Sequence, residues 1–156
     1  MKIKGSLISL SAKALAESFG TDMIRHTAAM VIQNYDLHDR LGFPHNIPIP
    51  ARDAAQQVVR DIAAAELFID FITLLIRLST EGYMGRRYQI NHLNDIVREM
   101  FDIGLVYDKV NRTFVEDSSV RQTPNWGTLK TDTEYGFALL RLDIVGNTKL
   151  VKKHPP

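Results

Sequence analysis

The chain has 156 residues, a formal net charge of +1, 24% charged and 45% hydrophobic residues, and no cysteine. That length supports one ordinary core, and the near-neutral charge excludes a global field that would draw in nucleic acid or anionic lipid. Without cysteine there are no disulfides, thiolate metal sites or thiol nucleophiles, so a reducing, cytoplasmic setting is the default expectation.

The start, MKIKGSLISLSAKALAESFG, holds only a broken apolar segment, which is not the pattern of a signal peptide. Residues 1–10 are expected to be a short extended lead. Ser9 or Ser11 would then cap a first helix over 12–19, with Ala12, Leu15, Ala16 and Phe19 inward. Gly20 ends that helix. Thr21 is the expected cap of the next, which runs to Tyr35 with Ile24, Ala28, Val31 and Tyr35 on its buried stripe. A turn of helix through DLHDRLGF follows, and GFPHNIPIP, residues 42–50, is a rigid proline loop.

Residues 53–79 are the most apolar stretch. Val58, Val59, Ile62, Ala65, Ile69, Ile72 and Ile76 recur at helical steps, and Phe68, Phe71, Leu74, Leu75 and Leu78 widen the stripe. Such a helix is buried on several sides. Asp70 and Arg77 interrupt it, so no membrane-spanning run exists. Ala51 to Leu78 is 28 residues, about 42 Å as one straight helix. A break near Ala63–Glu66, giving a helix pair, is therefore expected. Asp61, Glu66 and Asp70 would pair with Arg60 or Arg77.

Residues 79–90 read as a glycine-punctuated loop. Within it, Arg86 and Arg87 after a turn suit a solvated face or ion pairing better than phosphate binding, and with no strand before them the glycines are not a dinucleotide fingerprint. Asn91 is the expected cap of a last helix with Leu93, Ile96, Val97, Met100 and Phe101 inward, and Gly104 its left-handed terminator. A hairpin follows, with strands near 105–107 and 113–115. The fold class is mainly α: a small multi-helix domain with a C-terminal β-hairpin, in winged-helix-like order. Its boundaries are 1–115, with a polar linker over 116–135 and a new unit from 136.

His38 and His45 flank a loop with Asp36 and Asp39, so a metal site is conceivable there. Without HExxH spacing or a second clear pair, solvated surface is the plainer reading. A winged-helix nucleic-acid binder is the rival function, with Arg98, Lys109 and Arg112 on phosphates. Asp95, Glu99 and Asp102 on the same helix would repel that backbone.

The texture changes at 136. LLRLDIVGNTKLVKK reads as a strand ending in a carboxylate, then a glycine and a polar helix start. Free helix N–H groups there favour phosphate, and the carboxylate favours Mg2+. The plain alternative is a strand with one exposed aspartate and a turn glycine.

The string from Leu142 to Leu150, with Asp143-Ile144-Val145-Gly146-Asn147-Thr148 at its centre, resembles the end of the first strand of the class III adenylate and guanylate cyclase catalytic domain. That family shows Asp-Ile-x-Gly-Phe-Thr or Asp-Ile-x-Gly-Ser-Thr there, so Asn147 is a departure. GNTK fits the diguanylate cyclase pattern less well. The resemblance implies that Asp143 ligates Mg2+, that Ile144 lends it a backbone carbonyl, and that N–H groups of Val145, Gly146, Asn147 and Thr148 cradle the triphosphate of ATP or GTP. It covers about 15 residues. The family's second metal aspartate, base-reading lysine, and transition-state arginine and asparagine are not in the chain. One carboxylate does not hold two metal ions for in-line attack, so this chain alone is expected to be inactive, as a regulatory part joined to the opening strand of a cyclase. The upstream helices are faintly similar to effector-associated, death-like adaptor domains, which implies a protein partner: a like helical domain or a second copy. Neither nucleic acid nor a membrane is expected as a partner.

Overall fold

The computed structural model describes residues 3–117, which form six helices followed by a two-stranded antiparallel hairpin. The proposed strand at 136–145 lies outside the described residues.

Helix α1 (Gly5–Ser18) buries Leu7, Ser11 and Leu15, one helical turn apart. It therefore begins well before the expected serine cap. Leu7 is fully buried, and its packing extends the helix through a stretch where serines suggested a boundary. Ser9 and Ser11 lie inside the helix, and Lys4 stands at the N-cap without a side-chain bond.

Helix α2 (Thr21–Val31) follows Gly20, which occupies the cap position. Thr21 is not the cap. Its hydroxyl donates to the Ile49 carbonyl at 2.7 Å and ties the helix start to the proline loop. The helix stops four residues short of Tyr35: Ile32 leaves it in extended backbone, at φ −111° and ψ 121°, and Asn34 then takes a left-handed φ of 55°. Tyr35 instead donates its hydroxyl to Asp61 Oδ2 at 2.7 Å. Helix α3 (Leu37–Leu41) is capped by Asp36 and closed by Gly42 at φ 68°.

Helices α4 (Ala51–Ala64) and α5 (Phe68–Thr80) are the expected pair. Pro50 sits at the α4 cap, where its missing N–H costs nothing. Glu66, at φ 61°, makes the break, and the Leu67 N–H returns to the Ile62 carbonyl at 3.0 Å. This is the 6→1 closure of a helix end. Helix α4 packs on α1 and α2. Helix α5 buries Phe68, Phe71, Ile72, Leu75, Ile76 and Leu78, and leaves Asp70 and Arg77 outside. No helix among the described residues is long and apolar enough to cross a membrane.

The polar groups on this pair find other partners than expected. Arg77 pairs with Glu81 at 3.7 Å. Asp61 faces Arg40 at 3.9 Å and accepts from Tyr35 and from Gln57 at 3.0 Å. Burial, then the bond to Asp61, pushes the Tyr35 phenol well above its usual range. Replacing Asp61 by Ala leaves a part-buried hydroxyl and amide without their acceptor. The expected loss is about 2 kcal/mol, and Tyr35→Phe in the same background should cost much less than it does in the parent. A urea-unfolding double-mutant cycle measures the difference.

Helix α6 (Leu93–Asp102) starts after His92, which occupies the cap at φ 61°. Asn91 does not cap it; its N–H donates to Ser18 Oγ at 2.8 Å. Ile96 and Met100 are fully buried, but Phe101, expected inward, is 47% exposed. The helix has one partner face, against α1 and the first strand, and Phe101 lies outside it. Gly104, at φ 86°, turns the chain into β1 (Leu105–Asp108) and β2 (Thr113–Glu116), registered Leu105 to Glu116 and Asp108 to Thr113. Asp108 Oδ1 accepts from the N–H groups of Val110 and Asn111 at 2.8 and 3.1 Å, which closes the turn.

The 79–90 loop is held by a short bridge between Tyr83 and Arg86. A Cβ on Gly82 would meet the Arg86 carbonyl at 2.6 Å, so only glycine fits this approach.

Candidate functional site

The six residues singled out by the cyclase resemblance, Asp143, Ile144, Val145, Gly146, Asn147 and Thr148, lie outside the described residues. Within the described domain, the residues that come together as a chemical cluster are Asp36, His38 and His45.

Three local features build it. Asp36 takes extended backbone at the start of α3, and its Oδ1 accepts from the N–H groups of His38 and Asp39 at 2.9 and 3.3 Å. Gly42 then reverses the chain, and the proline loop returns past α3. There His45 Nε2 meets Asp36 Oδ2 at 3.0 Å. The His45 ring also stacks on His38, with centroids 5.0 Å apart and planes 16° apart. Each of the three side chains offers one possible ligand atom, all within 4.8 Å of one another, and among the described residues no other group of three does so. Asp39 is not part of the cluster.

The members differ in burial. His38 is 6% exposed. Its Nε2 lies 3.2 Å from the Ile47 carbonyl. A carbonyl only accepts, so Nε2 carries the proton, and Nδ1 of the neutral ring carries the lone pair. That Nδ1 is buried without a hydrogen-bond partner. His45 is largely exposed, with 64% of its side chain in solvent. A cleft of about 390 Å³ opens beside both rings, with Thr21, Asp22, Arg25 and Asn46 also on its walls.

Hydrogen bonding to Asp36 and then its charge raise the His45 pKa above the ordinary histidine value, while Arg25 opposes this. The same bond is the main cause that lowers the Asp36 pKa. A raised histidine contributes stability that is complete below its unfolded pKa and is lost as pH rises through the folded one. A lowered aspartate contributes above its unfolded pKa and loses this as pH falls. The pair is therefore most effective between about pH 4 and 6.5, bounded by the two unfolded values. In an NMR titration His45 should titrate above the free-histidine value, and Asp36→Asn should bring it back down.

The other histidines are engaged elsewhere. His26 Nε2 meets the Tyr83 hydroxyl at 3.0 Å, and His92 Nε2 meets Glu17 Oε2 at 2.8 Å. His154 lies outside the described residues. Arg86 lies over the Tyr88 ring at 5.5 Å, as a solvated, partnered arginine does. Sequence reading placed Asp36, His38 and His45 as neighbours. It missed the unpartnered nitrogen and Arg25, because both depend on how the proline loop folds back.

No protein-family model, no curated protein and no solved structure matches the chain.

Proposed function

We propose that residues 1–115 form a non-catalytic regulatory or protein-interaction domain, set ahead of a class III nucleotide cyclase catalytic domain that opens with the 136–145 strand. The carrying observation is a core that closes on itself. Ile24 of α2, Leu37 of α3, Val58 of α4, Phe71 of α5, Ile96 of α6, Leu105 of β1 and Phe114 of β2 are all buried with Leu7 and Leu15 of α1. A core shared by every element of the described residues supports a unit that folds by itself, as a modular regulator must.

In this reading Asp143 and the Ile144 carbonyl hold Mg2+, and the N–H groups of Val145 to Thr148 receive the phosphates of ATP or GTP. The helical domain, in the cytoplasm, pairs with a like domain or a second copy. The test is turnover. This chain with Mg-ATP or Mg-GTP is expected to form no cyclic nucleotide, while a longer protein that carries the whole proposed catalytic domain is expected to form it. Absence of turnover by the latter, with either nucleotide and with Mg2+ or Mn2+, overturns the cyclase assignment.

A second reading rests on the order of α6, β1 and β2, which is that of a winged helix. Charge weighs against it. Asp95 and Asp102 are exposed on α6, and Arg112 in the hairpin is held by Glu81 at 2.8 Å. Binding to random duplex DNA that weakens steeply with salt would favour this reading.

A further inference from the structure

We propose that Asp36, His38 and His45 form a binding site for one divalent first-row transition-metal ion of the zinc type. The inference stands apart from the cyclase reading, since all three residues lie in the described domain.

The donor set is two imidazoles and one carboxylate, which suits Zn2+, Co2+, Ni2+ or Fe2+ and not the soft Cu+. His38 has the arrangement of a metal-ligating histidine. Its protonated Nε2 is fixed by a backbone carbonyl, which sets the tautomer and leaves Nδ1 as the donor. A buried nitrogen lone pair with no hydrogen bond is costly, and a cation satisfies it. Asp36 keeps its helix-capping role through Oδ1, and its Oδ2 now faces His45. A metal ion would take the place of the proton that joins Oδ2 to His45 Nε2.

The stacked rings define the movement required. Imidazole lone pairs lie in the ring plane, so two near-parallel rings do not converge on one point. Zinc at ordinary bond lengths puts its ligand atoms about 3.3 Å apart, so separations of up to 4.8 Å have to close. His45 is the side chain free to do this, because it is exposed and sits in the loop, while His38 is enclosed. With three protein ligands, the fourth position is left for water or an outside donor.

The surrounding charges are mixed. Arg25 of α2 lines the same cleft and opposes a cation, but it is paired with Asp22 at 3.7 Å. Asp39 on α3 adds a negative charge nearby.

The test uses the 156-residue chain with any purification tag removed. Calorimetric titration with Zn2+ at neutral pH should give one ion per chain. His45→Ala, at an exposed position, should bind at least tenfold more weakly. Asp36→Asn, whose amide oxygen still caps α3, should lose as much, and Asp39→Ala should bind as the parent does. In NMR spectra the ring signals of His38 and His45 should move together up to one equivalent, with His26 and His92 unmoved. No binding up to millimolar Zn2+, binding unchanged by both His45→Ala and Asp36→Asn, or ring shifts centred on His92 would each overturn the site.

Discussion

Phe71→Ala should cost about 3–5 kcal/mol, the range for emptying a large aromatic from a core. Phe71 is fully exposed to neither solvent nor loop; it is 0% exposed in the middle of α5, with the Phe68 ring edge-on at 6.1 Å. Removing the ring forfeits its burial and leaves a cavity that a helix anchored by Ile72 and Leu75 does not readily collapse into. A domain of this size has about 5–15 kcal/mol in total, so the midpoint should fall by on the order of 15 °C. Met84→Ala is the matched control: that side chain is 86% exposed and should change stability by less than about 0.5 kcal/mol. Thermal unfolding followed by circular dichroism reads both. A Phe71→Ala loss below about 1 kcal/mol would mean that the Phe71 ring is not packed in the core.

Under the cyclase proposal, Asp143→Ala in a protein that carries the whole proposed catalytic domain should lower cyclic-nucleotide formation by at least about a hundredfold. A metal ion supplies several kcal/mol of charge stabilisation at a transferring phosphoryl group, and each 1.36 kcal/mol is tenfold in rate. Asp143→Asn should fall similarly, because the amide oxygen carries no charge to hold Mg2+. The helical domain does not include this residue, so its thermal transition should stay where it was. A variant that retains its rate would remove Asp143 from the metal site.

Much of the fold was legible in the sequence, for identifiable reasons. The break between α4 and α5 followed from a helix too long for the domain. Pro50 and Gly104 marked their boundaries because each carries a backbone constraint that few other residues share. Where the reading failed, tertiary contact outweighed local preference. Ser9 and Ser11 looked like caps, yet burial of Leu7 carried α1 past them. Phe101 fits the apolar stripe of α6, but that helix has a partner on one face only. Tyr35 fits the α2 stripe, but its hydroxyl is held by Asp61, 26 residues on.

The candidate sites were legible to different degrees. Asp36, His38 and His45 are close in sequence, so their proximity was expected. Their stacking and the lone nitrogen of His38 arise from the turn at Gly42 and the Thr21–Ile49 tie, which no spacing rule contains. Asp143 reads first as a strand-end carboxylate ahead of Gly146, a pattern also met in ordinary turns, and the cyclase resemblance alone gives it a role; it lies outside the described residues.

Under the cyclase proposal, regulation by the helical domain would be measured most directly as the rate of cyclic-nucleotide formation by a protein that carries the whole proposed catalytic domain, with and without residues 1–117, over a range of protein concentrations. Deletion should change the rate by about fivefold or more, the lower end of ordinary coupling between a regulator and its site. Equal rates at every concentration would contradict a regulatory role for the domain.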